Sequence, residues 1–153
     1  MGAAAGAEVS STILSDGVTL IQGKRGWARL SWLAPGVVLY VCGGYFTTAF
    51  AEPMIGFADR ELRRNGKLVM VTDAWELGSV DAEYREAWTE WFKRHKHDFR
   101  MELLVRSKLM EMAASLANLF TGIAVVSTHS NVDAWERAAA RSVPGFRRPT
   151  SAA

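Results

Sequence analysis

Apolar and polar positions alternate with a period of two near the start of the chain, and from Ala51 onward they recur with a period near 3.6. The first rhythm predicts strands; the second predicts helices set between further strands. Val18 to Gln22 reads as a short strand, and Gly23-Lys24-Arg25-Gly26 suits a tight hairpin turn. Trp27 to Leu33 returns, with Leu30 and Trp32 alternating against Arg29 and Ser31. Ala34-Pro35-Gly36 makes a second turn. Val37 to Cys42 is an almost continuous apolar run, as in a central strand buried on both faces.

The helical rhythm begins at Ala51 to Asn65, where Met54, Ile55, Ala58 and Leu62 share one face. Pro53 fits the first turn, Arg60, Arg63 and Arg64 complement the dipole late in the helix, and Asn65-Gly66 ends it. Lys67 to Thr72 is the next buried strand. A second helix runs from about Val80 to His97, capped by Ser79 or Asp81, with a heavy stripe of Tyr84, Trp88, Trp91, Phe92 and His95. Met101 to Val105 is a strand, Ser107 caps a helix carrying Leu109, Met112, Leu116 and Phe120 on one face, and Ile123 to Ser127 is a last strand. Asn131 caps a final helix from Val132 to about Arg141.

The order β-β-β-α-β-α-β-α-β-α predicts an α/β fold: a mixed, mainly parallel sheet with an N-terminal antiparallel hairpin and about four helices. Residues 1–12 read as a disordered small-residue tail, 13–143 as a single domain, and 144–153 as a flexible basic tail containing Arg147 and Arg148. At 153 residues the chain is long enough to bury a full core without staples. One cysteine, Cys42, excludes an intrachain disulfide and suits a reducing cytoplasm. No charge occurs from Leu30 to Ala51, long enough to cross a bilayer, but Pro35-Gly36 and Gly43-Gly44 are breakers, so no membrane span is expected. The formal net charge of +2 makes nucleic acid an unlikely partner on bulk charge alone.

Few residues carry recognisable chemistry. Asp73 ends a predicted central strand, the sheet edge where open α/β folds bind ligands, with loop capping as its alternative role. Trp75 follows it, as a partner anchor or a lid on the core. Ser107-Lys108, at the next strand-to-helix junction, offers backbone N–H groups and a cation to an anion. His95 and His97 stand two apart on a predicted helix and point away from each other, and His129 falls in another element, so no metal site is expected. No Gly-x-Ser-x-Gly, Walker or dinucleotide motif occurs, and neither a cofactor nor catalysis is expected. Trp27 and Trp32 lie on opposite faces of a strand expected at the sheet edge, where an exposed aromatic invites pairing with another chain.

From Val37 to Trp135 this succession of elements resembles the STAS and SpoIIAA-like (STAS/SEC14-like) domains. The resemblance is carried by Val37–Cys42, Arg63-Arg64-Asn65-Gly66, Lys67–Asp73, Trp88 and Trp91, Leu103-Leu104-Val105 with Ser107-Lys108-Leu109-Met110, Met112–Phe120 and Asp133-Ala134-Trp135. It implies a non-catalytic interaction or regulatory module of bacterial type, with another protein as partner and a homodimer through the edge strand. It also implies a phosphoacceptor at Ser79, although Gly78 stands where such sites carry aspartate. The alternative is a carrier for a small apolar or lipid-like ligand, held between the sheet and the methionine-rich helix Leu109–Phe120. A cofactor-free enzyme using Asp73 is the third reading.

Overall fold

The computed structural model describes residues 9–107 and 126–149. Seven strands form one sheet in sequence order: β1 (Val9–Ile13), β2 (Thr19–Gly23), β3 (Gly26–Ala34), β4 (Val37–Phe46), β5 (Leu68–Val80), β6 (Phe99–Leu104) and β7 (Val126–His129). The described helices are α1 (Ala51–Asn65), preceded by a 3-10 turn at Thr48–Phe50, α2 (Ala82–His95) and α3 (Val132–Ala140). About four helices were expected and three are described; the helix expected at Leu109–Phe120 lies outside the described residues.

β1 to β4 form an antiparallel meander, and β4 to β7 pair in parallel. The sheet is thus evenly mixed rather than mainly parallel. The uncharged run from Leu30 to Ala51 forms the end of β3, all of β4 and the approach to α1, and no helix among the described residues is long and apolar enough to cross a membrane.

Four expectations need correction. β1 pairs with β2 along Val9–Ile13, where the sequence suggested a tail, so β3 lies inside the sheet and not at its edge. Gly43-Gly44 does not break β4; the strand continues to Phe46, with a register shift beside each glycine. β5 runs on to Val80, eight residues past Thr72, and absorbs the same shifts as bulges. Finally, residues 144–149 are not a loose tail: Phe146 is buried in the α3-side layer and Arg148 pairs with Asp73 of β5, while Pro144, Gly145, Arg147 and Pro149 are exposed.

The core lies on both sides of the sheet. On one side α1 and α2 bury Met54, Phe57, Ala58, Leu62, Trp88 and Trp91 against Ile21, Leu30, Tyr40 and Met70. Each large side chain fully buried contributes about 1.5–3 kcal/mol. The Trp91 indole N–H donates to Asp59 Oδ1 at 2.7 Å, so its polar atom is satisfied while it ties α2 to α1. Gly66 closes α1 at φ +78°, where its N–H donates to the Leu62 carbonyl at 2.7 Å. On the other side α3 packs Trp135 and Ala139 on Val37, Leu39, Val71 and Leu104, joined by Phe146.

Candidate ligand-binding site

Alternation along β5 sends Met70, Thr72 and Ala74 toward α2, and Val69, Val71 and Asp73 toward the opposite face. On the α2 side lies a cavity of about 310 Å³. Cys42, Met70, Thr72 and Met101 from three adjacent strands line it from the sheet, and Tyr84, Trp88 and Phe92 line it from α2. The two bulges return Leu77 and Val80 to the same side, so one strand lines the cavity from Met70 to its end. α2 is held in place by Asp81, whose Oδ1 accepts from Tyr84 N at 2.8 Å and whose Oδ2 accepts from Thr48 N at 3.0 Å.

Polar atoms here are few. The Tyr40 hydroxyl donates to the Met54 carbonyl at 2.6 Å. Burial holds Tyr40 and Tyr84 well above the usual phenol range and raises the Cys42 thiol, with the Asp73 charge adding to the effect on Cys42. All three are therefore neutral at physiological pH. Thr72 is 6% exposed, and its hydroxyl has no hydrogen-bond partner among the described residues. The Trp88 indole N–H also lacks one; it approaches the Tyr84 hydroxyl closely enough to favour its ionised form, but outside hydrogen-bonding geometry. Buried polar groups without partners are uncommon and call for an explanation.

The residues singled out from the sequence do not line this cavity. Asp73 is 3% exposed, and its carboxylate accepts from Arg148 Nε at 2.6 Å and Nη2 at 3.4 Å and from Trp75 N at 3.1 Å. It lies within β5, not at a strand end. Trp75, also within β5 instead of a loop, packs on the α3 side with the Arg148 guanidinium 5.6 Å from its ring centroid. Ser79 is exposed in β5 opposite Tyr45, so the helix-start position expected for it is not observed and Asp81 is the cap. Ser107 follows β6, and Lys108 lies outside the described residues. His95 packs against Trp91 with the rings tilted at 45°, His97 is exposed, and His129 Nε2 meets Glu102 Oε1 at 2.8 Å. Among the described residues no group of three or more His, Cys, Asp or Glu could hold a metal ion.

Thr72 and Cys42, missed from the sequence, sit in apolar strands where nothing local distinguishes a cavity wall from a core position. The expected carrier cavity was assigned to a helix outside the described residues; the one observed lies under α2.

No protein-family model matches the chain, and no curated protein does. Among solved structures, it is similar to an uncharacterized protein of the DUF3478 family with a SpoIIAA-like fold from Shewanella loihica PV-4. The TM-score is 0.52 at 17% identity, covering 74% of this chain and 84% of that one. The chain therefore has a SpoIIAA-like fold.

Proposed function

We propose that the protein is a non-catalytic binder of one small, largely apolar molecule that carries a hydrogen-bonding group. A single observation carries this reading: Thr72 lines an apolar cavity, and its buried hydroxyl has no hydrogen-bond partner among the described residues. A buried hydroxyl left unpaired costs about 1–3 kcal/mol, which a ligand's polar group would recover. A cavity of about 310 Å³ falls at the small end of the ~300–1,000 Å³ typical of ligand sites. Asp73 is occupied by Arg148, which argues against its use as a free catalytic carboxylate. Buried Cys42 suits the reducing cytoplasm proposed for the chain.

Octanol and octane titrated into the purified protein, followed by tryptophan fluorescence and thermal melting, test this reading. Octanol should raise the melting temperature, and Thr72→Val should weaken octanol about tenfold while leaving octane unchanged, the loss of one hydrogen bond of ~1.4 kcal/mol. A protein that yields no small molecule on organic extraction and whose melting neither probe shifts has no such site.

A second reading is a regulatory module that binds another protein or a second copy of itself. The exposed end of β5, with Glu76, Gly78 and Ser79, and the edge strand β1, where Ile13 is 76% exposed, support it. If β1 pairs between copies, Ile13→Lys turns a dimer into a monomer in light scattering. If Ser79 is a switch, Ser79→Asp changes partner capture relative to Ser79→Ala.

A further inference from the structure

On the second face of the meander, Trp135 of α3 and Phe146 pack over the end at Leu33, Ala34, Val37 and Leu39, and the opposite end, at Trp27 and Gly43, has no helix over it among the described residues. α1 and α2 cover the other side, and α3 packs on β6 and β7. Register fixes which side chains stand on this open face. Trp27 pairs with Gly43 and Arg29 with Val41, and Val41 belongs to the α3-side layer together with Trp75. The open face therefore carries Trp27, Arg29 and, farther across, Trp75.

Each aromatic ring of this face has a guanidinium over it, Trp75 that of Arg148. The Arg29 guanidinium lies 5.2 Å from the Trp27 ring centroid, and that of Arg25 lies 5.0 Å from the Tyr45 centroid. Gly43 has no side chain, and the Trp27 indole occupies the space instead: a Cβ there would come within 2.4 Å of the ring. Trp27 thus leans across β4 toward Trp75, whose strand is β4's other neighbour. Trp27, Tyr45 and Trp75 all keep part of their surface exposed.

The charge balance of this face differs from that of the whole chain. Lys24 and Arg25 are exposed, Arg29 is half-buried, and none of the three forms an ion pair among the described residues. The nearby acids are already matched, Glu76 by Arg106 at 3.0 Å and Asp73 by Arg148. The net charge of +2 averages this patch with acidic surface elsewhere.

We infer that the open end of this face across β2–β5, from Lys24 and Arg25 across Trp27 and Arg29 to Trp75, binds a single-stranded nucleic acid. On a flat sheet these ring–guanidinium pairs offer planar surfaces to unpaired bases, which stack on the guanidinium or take its place on the ring, while the cations follow the phosphates. A duplex hides the base faces that the rings would take. An acidic peptide would use the cations but leave the rings idle.

The test is fluorescence anisotropy with a labelled single-stranded DNA of about 15 nucleotides, within the range such platforms cover. Binding should quench tryptophan emission and weaken with salt. Arg25→Gln/Arg29→Gln should reduce affinity about tenfold and make the log–log salt slope shallower by roughly 1.4, two phosphate contacts at ~0.7 each. Lys93→Gln/Arg94→Gln removes the same charge from exposed positions on α2 and should leave affinity within about twofold. Arg29→Lys keeps the charge and tests the stacked guanidinium in a variant with little reason to misfold. The proposal is overturned by equal losses in both double variants, by duplex DNA or heparin competing as well as the single strand, or by no binding at low salt.

Discussion

The Asp73 carboxylate is cut off from solvent, and Arg148 supplies both the opposite charge and two hydrogen-bond donors. Removing Arg148 leaves a buried charge without its counter-charge. Breaking a buried pair typically costs about 3–5 kcal/mol, but 27% of the Arg148 side chain remains exposed, so Arg148→Ala should cost about 2–3 kcal/mol in urea unfolding. In the Asp73→Asn background the same change should cost at least ~1 kcal/mol less, since the charge it balances is gone. Glu136 gives a separate pH signature. The backbone N–H of Arg148, at 2.7 Å, and then the Arg147 guanidinium hold its carboxyl below the usual range. A proton therefore binds the unfolded chain more readily, and the resulting stability is present above the ordinary carboxylate pKa and lost as pH falls through the lowered one. Glu136→Gln should flatten that acid-side decline in melting temperature while leaving the alkaline side unchanged. The sequence singled out Asp73 but could not show Arg148, 75 positions away, as its partner.

Among the elements, what was legible and what was not divides along local and cross-strand information. The apolar run Val37–Cys42 and the stripes of α1 and α2 carry their own period, so their burial could be read directly. β1 has one apolar residue at each end and hydroxyl residues between, with no alternation to read; its partner β2 makes it a strand. Asp73 to Ser79 has the composition of a loop, yet β4 and two bulges hold it as strand. That misreading put the candidate site on one face of β5 when the cavity lies on the other. Gly43 belongs to the same class: it looks like a breaker, but its role is to make room for Trp27. Gly43→Ala should therefore destabilise by about 1–3 kcal/mol, because a rigid indole must be displaced and not a flexible chain end. Combining it with Trp27→Leu should recover most of that loss in thermal melts. If Gly43→Ala costs the same in both backgrounds, the contact with Trp27 is not the reason for the glycine.

At the scale of the whole molecule, the residues after α3 close the fold over distance. Phe146 is 8% exposed and meets the Trp135 ring edge-on, with centroids 5.4 Å apart, while Arg148 reaches Asp73 in the middle of the sheet. Pro144, Gly145 and the two arginines gave this segment the look of a tail, since a single aromatic has no period of its own. Its docking joins α3, through Glu136, to β5. Loss of a buried phenylalanine costs about 3–5 kcal/mol. Added to the Arg148 loss, this gives roughly 5–8 kcal/mol, comparable with the ~5–15 kcal/mol that holds a whole domain of this size folded. A chain ending at Val143 should therefore be unfolded or melt far below the full chain, with its near-UV tryptophan signal lost. The paired substitution Phe146→Ala/Arg148→Ala should reproduce most of that effect with the backbone intact. A truncated chain that keeps the melting midpoint of the full one would mean that these contacts lie on the fold without contributing to its stability.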